Sequence, residues 1–294
     1  MRRCRLESLG VSLPRRGLFR WGSLKHALAA GRTCLEASRY HPMDVRMLVY
    51  TGIHRDEHVC EPAFAAYVQN GLGINTEFQG RRTLSFDLQN GGVGMLNGVH
   101  LLHSMMNAGE IHAGMVVSAE ANADRRPDPE YTYPASGAAV LVDLSPRRQV
   151  GFSAFAFDTR EEHAGLFTSV VSLKQKFGRL ILQRRRAELE EAWLAGARAA
   201  TDEVLARDGL TREQVDLVVP AQISEGFLKR LPEAIGIPRE RIADFTKDLP
   251  DTHSTSVFLA LQRVLLATPQ GRGRKALLLA FGSGVTVGAA TYHF

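Results

Sequence analysis

The chain has 294 residues, 45 % of them apolar, 23 % charged and 7 % aromatic, which excludes disorder and suffices for one large domain or two intimately packed halves. Three cysteines (Cys4, Cys34 and Cys60) exclude a disulfide scaffold; an odd count without a CxxC pair reads as reduced thiols in a cytoplasmic protein. The net charge of +5 raises the question of nucleic acid, but the arginines are scattered. Their one dense cluster, Arg184-Arg185-Arg186, precedes Glu188, Glu190 and Glu191 on what reads as a single amphipathic helix, where i,i+4 pairing accounts for it. Without zinc-finger spacing or a basic–aromatic RNA signature, no nucleic-acid partner is expected. No apolar run reaches bilayer length, and the Arg-rich start (Arg2, Arg3, Arg5) is interrupted by Glu7 and Pro14, so neither a membrane span nor export is expected.

In chain order, the patterning predicts a helix over 24–38, a buried strand over 44–50 and a helix ending at Leu72-Gly73-Ile74. A strand over 84–88, a glycine-rich turn, a helix over 96–107 and a strand over 114–119 complete the series. A second series follows: helix 188–207, strand 215–220, a helix ending at Ile235-Gly236-Ile237, strand 242–245, a polar turn, helix 256–267 and strand 275–280. Helices alternating with short apolar strands predict an α/β fold. Both series stop the second helix at a Gly-Ile pair and feed the third through a turn, which is the mark of an internal duplication. The halves are placed at 1–150 and 151–294, packed as one unit with two related layers of sheet sharing buried helices.

Several segments carry a family resemblance. Phe86-Asp87-Leu88-Gln89-Asn90-Gly91-Gly92-Val93-Gly94 is similar to the strand and nucleophile turn FDLxxACSG of the thiolase fold, specifically of ketoacyl synthase III and its relative OleA, which joins two acyl-CoAs. Val116-Val117-Ser118-Ala119-Glu120 resembles the group's VVGAE strand, and Ser136-Gly137-Ala138-Ala139-Val140-Leu141-Val142 its DGAGAVVL segment. Leu278-Leu279-Ala280-Phe281-Gly282-Ser283-Gly284-Val285-Thr286-Val287-Gly288 resembles its GFGAGLSWG loop. The similarity keeps the family's order from about residue 20 onward and implies a thiolase-like, duplicated αβαβα layered fold.

The family's Claisen condensation uses a cysteine that carries the acyl chain, with a histidine and an asparagine that hydrogen-bond the thioester oxygen and the developing enolate. Carried over by motif, the cysteine position falls on Gly92. The histidine position falls on Ala221 in Val219-Pro220-Ala221-Gln222-Ile223-Ser224, and the asparagine position on Asp251 in Pro250-Asp251-Thr252-His253-Ser254-Thr255-Ser256. All three are degenerate. The family's first strand is followed by a segment that caps the site and helps to hold coenzyme A; here Leu13-Pro14 ends the strand and the helix has begun by Leu24, so part of that port is missing.

The resemblance gives Glu61, in His58-Val59-Cys60-Glu61-Pro62-Ala63-Phe64, a role. In the family this loop crosses the dimer interface and the residue before the proline points into the partner's site; in OleA-like enzymes it is a glutamate that serves as base. A carboxylate removes an α-proton efficiently only where a dry, apolar channel raises its proton affinity. Taken from the residues alone, the favoured reading of Glu61 is a helix N-terminal glutamate beside an N1 proline, stabilised by the helix dipole.

The resemblance thus implies a cysteine-less subunit of a heterodimeric OleA-like enzyme, of the kind found in β-lactone pathways of the lipstatin and nocardiolactone type. Its partner is expected to be a paralogous subunit holding Cys, His and Asn, pairing across the strand at 83–88 and binding most of the acyl-CoA substrate. Glu61 is donated to that partner, and the product is a 2-alkyl-3-ketoacyl thioester. The inactive half of the quinolone-making heterodimers belongs to the same broad class. Two alternatives stand beside this reading: a purely structural partner of a ketoacyl synthase III, and an independent hydrolase using Ser224, His253 and Asp251. His54-Arg55-Asp56-Glu57-His58 matches the zinc spacing H-x-x-E-H, with Cys60 close by, but lies in a predicted loop where the motif needs a helix, so no metal or other cofactor is expected. His100 and His103 read as core or interface histidines, and Gly282-Ser283-Gly284 as a close backbone turn.

Overall fold

The computed structural model describes residues 2–14, 20–75, 82–124, 126–147, 149–172, 180–267 and 273–294. The first half contains β1 (Cys4–Ser12), α1 (Ser23–Glu36), β2 (Met47–Tyr50), α2 (Phe64–Gly71), β3 (Leu84–Asp87), α3 (Gly94–Asn107), β4 (Ala113–Glu120) and β5 (Ser136–Leu144). The second contains β6 (Gly151–Thr159), β7 (Phe167–Val171), β8 (Ile181–Arg185), α4 (Leu189–Asp208), β9 (Leu217–Pro220), α5 (Glu225–Ile235), α6 (Ser256–Ala267), β10 (Lys275–Gly282) and β11 (Thr286–His293).

Nine strands run in the order β3-β2-β4-β5-β1-β6-β11-β10-β9, and β7 pairs with β8 in a separate antiparallel hairpin. The halves mirror each other. In the first, β2 is parallel to β3 and β4, and β5 and β1 add antiparallel strands. In the second, β9 is parallel to β10, and β11 and β6 add antiparallel strands. They meet at one residue pair, Cys4 with Phe152, so the two expected sheet layers are joined edge to edge.

Helices α1 and α2 cover the outer face of the first half, and α4 and α5 that of the second. Between the halves lie the shared helices: α3 packs on β2, β4 and β5 and also reaches β11, while α6 packs on β9 and β10 and also reaches β1. Their near-complete burial follows from composition. Both are apolar on most sides (Met95, Leu96, Val99 and Leu102; Val257, Phe258, Leu259 and Leu261), as a helix enclosed by two sheets must be. The duplicated Gly-Ile stop has a physical cause. Gly73 and Gly236 both take φ +67°, the left-handed position that closes a Schellman motif. The following Ile74 and Ile237 donate back to Gln69 O (3.0 Å) and Pro232 O (3.2 Å) and bury their side chains.

Three expectations are corrected. The strand at 242–245 shrinks to a single bridge, Val218 with Ile242. Strands β5, β6 and β11 stand where patterning marked none, because strands buried on both faces lose their alternation. Arg184 and Arg185 lie on β8, paired with Thr168 and Phe167, and α4 begins only at Leu189. Glu190 and Glu191 instead pair with Arg230 of α5. No helix among the described residues is long and apolar enough to cross a membrane.

Candidate functional site

Gly92 sits in a single 3₁₀ turn, Gly91–Val93, that opens α3, and it is fully enclosed. A Cβ placed there would lie 2.1 Å from the carbonyl oxygen of Phe281 on β10. That strand end is held in turn by Trp193, whose indole N–H donates to Gly282 O at 2.9 Å. No side chain fits at the turn without moving backbone from the other half of the molecule. Ala221 is buried, its N–H donating to Leu279 O at 2.8 Å. Asp251 is half-buried in a cavity of about 250 Å³ that also borders Arg185, Gln222, Ser224 and Lys247; burial pushes its carboxyl upward from the ordinary range.

The Ser224–His253–Asp251 triad is not assembled. Ser224 caps α5, its Oγ accepting the Phe227 N–H at 3.0 Å. Asp251 accepts the backbone N–H of His253 at 2.8 Å, and the His253 ring turns to Glu120.

Glu61 is exposed, and among the described residues its carboxylate has no hydrogen bond or ion pair. Pro62, joined to it by a cis peptide, is not at N1: α2 begins at Phe64 with Ala63 as N-cap. The first helical N–H groups, of Phe64 and Ala65, go to Asp87 at 2.8 Å each, and Asp87 also holds Arg55 at 3.0 Å. The capping role open to Glu61 on sequence grounds is therefore filled by Asp87.

The H-x-x-E-H spacing does not form a zinc motif. His54 faces Glu120, His58 faces Asp124 at 3.3 Å, and Glu57 is exposed with φ +53°. What it contributes is one member, His54, of a buried cluster that sequence reasoning missed. Glu120, at the end of β4, accepts from His54 Nδ1 (2.6 Å), the backbone N–H groups of His54 (3.0 Å) and Ile53 (3.2 Å), His253 Nδ1 (3.1 Å) and the Ser254 hydroxyl. Tyr131 stands edge-on to His54, with ring centroids 4.8 Å apart, and Tyr133 lies 4.7 Å from His253. Burial drives the Glu120 carboxyl upward, but the two imidazoles and their hydrogen bonds outweigh it and hold the group well below the ordinary carboxylate range. One signal was available: β2 and β4 are parallel neighbours, so the residue beyond β2 and the end of β4 come to one end of the sheet. Among the described residues, His54, Glu120 and His253 bring ligand-type atoms within 4.8 Å of one another. At 2.6 Å, though, His54 and Glu120 are closer than the roughly 3.3 Å between two ligands of a tetrahedral zinc. The cluster is a hydrogen-bonded one.

His100 stacks on Phe155 at 4.7 Å, and buried His103 meets the same ring edge-on at 5.6 Å, as core residues.

Residues 205–294 match the family described as "3-Oxoacyl-[acyl-carrier-protein (ACP)] synthase III C terminal". Over 277 residues the chain is 26 % identical to the beta-ketoacyl-[acyl-carrier-protein] synthase III of Rhizorhabdus wittichii, covering 91 % of this chain and 83 % of that one. Among solved structures, 3-oxoacyl-[acyl-carrier-protein] synthase III from Aquifex aeolicus superposes with a TM-score of 0.85 at 19 % identity, covering 99 % and 100 % of the two chains. Xanthomonas campestris OleA, crystallised with lauric acid and lauroyl-CoA, superposes with a TM-score of 0.83 at 16 % identity over 99 % of each. The fold is the thiolase-like fold of the ketoacyl synthase III structures, with OleA among its structural neighbours. The sequence relatives are acyl-condensing enzymes.

Proposed function

We propose that this chain is the non-acylated subunit of a heterodimeric enzyme that condenses two acyl-CoAs without decarboxylation, and that it donates Glu61 to the active site of a paralogous Cys-His-Asn subunit. The observation that carries this reading is Gly92: the nucleophile position lacks a side chain and is packed against Phe281 O, so an acyl group has to be held elsewhere. Two further features support it. Among the described residues, Glu61 projects from the loop before α2 with no hydrogen bond or ion pair on its carboxylate, and β3 ends the sheet with an unpaired edge. In this scheme the partner's cysteine is acylated by the first acyl-CoA. Glu61 takes the α-proton of the second, the carbanion attacks the acyl-cysteine carbonyl, and the cysteine thiolate leaves.

The test is Glu61→Gln in the co-expressed complex. Gln keeps the size and hydrogen bonding but cannot act as a base, and loss of a general base costs on the order of 10² to 10⁴ in rate. Acylation of the partner should proceed and condensed product should fall by that factor, whereas Glu57→Gln, at an exposed position in the same loop, should leave the rate unchanged. Full condensation by the Glu61→Gln complex would leave the chain as a purely structural partner.

A further inference from the structure

The hydrogen-bond chain through His54 continues beyond Glu120. On the far side of the ring, His54 Nε2 meets the hydroxyl of Ser169 on β7 at 3.1 Å, with Gln183 Nε2 more distant at 3.5 Å. Ser169 is exposed, while His54 is 5 % and Glu120 0 % exposed. Ser169 and His54 line a cavity of about 480 Å³ whose walls are mixed, with Ile53, Val59, Val170 and Ile181 beside Arg55 and the Asp87 that pairs it at 3.0 Å. A hydroxyl within reach of an imidazole that is itself oriented by a third group is the signature of an activated nucleophile. Such constellations are recognised by geometry and role rather than by position in the chain.

We propose that Ser169, His54 and Glu120 form a nucleophile–base–carboxylate triad that hydrolyses carboxylic esters with short apolar acyl groups. Glu120 accepts the Nδ1–H, which orients the ring with Nε2 facing the Ser169 hydroxyl as its acceptor. Four other donors hold the carboxylate in place: the Ile53 and His54 N–H groups, His253 and Ser254. As Ser169 Oγ bonds to the ester carbonyl carbon, its proton passes to His54 Nε2. Collapse of the tetrahedral adduct breaks the bond to the alcohol, which leaves with that proton. Water then attacks the acyl-serine by the same route, so ester and water become acid and alcohol. Ile53, Val59, Val170 and Ile181 offer apolar contact to a short acyl chain, and the exposure of Ser169 gives it access.

The experiment is fluorophosphonate labelling of the full-length chain, with peptide mass mapping, alongside hydrolysis of p-nitrophenyl butyrate. The wild-type chain should be labelled at Ser169 and should turn the ester over. Ser169→Ala removes an exposed hydroxyl, so its melting temperature should be unchanged while both signals fall at least about a hundredfold. His54→Gln, provided it melts cooperatively, should lose both as well; if it does not fold, Ser169→Ala decides. Cys60→Ala, which removes the neighbouring thiol, should keep both. Equal hydrolysis by wild type and Ser169→Ala overturns the proposal, as does the absence of label on a cooperatively folded wild-type chain or loss of label in Cys60→Ala.

Discussion

Gly92 shows how much one missing side chain decides. Because a Cβ at this position would meet the Phe281 carbonyl oxygen at 2.1 Å, a cysteine introduced there should not gain the ability to carry an acyl group. Gly92→Ala should destabilise the chain by at least about 2 kcal/mol, the overpacking cost of a site whose neighbour is backbone and cannot rotate away. Gly92→Cys should be destabilised likewise and take up no more acyl group from acyl-CoA than the wild-type chain; thermal melts and intact mass measure the two. His103 makes a second prediction at this scale. Burial, helped by the nearby His100, lowers its pKa from 6.5 to about 4. The unfolded chain therefore takes up this proton below pH 6.5 while the folded chain resists it, so the contribution is fully present above pH 6.5 and lost as the pH falls toward about 4. It amounts to as much as about 3 kcal/mol. His103→Leu should flatten the fall in melting temperature across that window; an unchanged slope would assign it to other groups.

Among the elements, β3 is the most consequential. It ends the nine-stranded sheet, no strand lies beside its outer edge among the described residues, and Leu84 on it is 56 % exposed. Natural sheets rarely leave such an edge apolar unless another chain covers it. A chain expressed alone should self-associate or be poorly soluble, and co-expression with the proposed Cys-His-Asn partner should yield a stoichiometric complex. Leu84→Lys should weaken either association at least about tenfold by placing a charge on the edge, with the fold of the subunit intact. Light scattering after size exclusion reads the outcome, and an unchanged complex would move the interface elsewhere. The β7–β8 hairpin matters in a different way. Arg184 to Arg186 read as helix because of the glutamates that follow, yet the local chain pairs back on Phe167 and Thr168. That hairpin carries Ser169 to His54, a contact between residues 115 positions apart.

At the scale of the whole molecule, the halves touch through strands at one pair, but α3 and α6 belong to both. Unfolding should therefore be a single transition, coincident by far-UV dichroism and by fluorescence in variants retaining only Trp21 or only Trp193, one in each half. Phe258→Ala, on α6 and fully buried, should lower both signals together by about 3–5 kcal/mol of stability. Separate transitions would show that the halves fold independently.

The α/β class, the duplication and the Gly-Ile helix stops were legible in the sequence because they rest on local physics: apolar periodicity, and the φ +67° that Gly73 and Gly236 supply cheaply. Gly92, Ala221 and Asp251 were singled out in the sequence by motif resemblance alone, since a motif is read along the chain. That Gly92 is also sterically closed depends on Phe281, nearly two hundred positions away, and only the tertiary structure brings that carbonyl to the turn. The same holds for the cap on α2. It is Asp87 and not Glu61, because β3 runs alongside β2 and delivers its last carboxylate to the helix start. His54, Glu120, Ser169 and His253 lie far apart in sequence, and no spacing rule joins them. Their meeting is decided by the adjacency of β2 and β4 and by the packing of the second half against that end of the sheet, which are global properties of the fold.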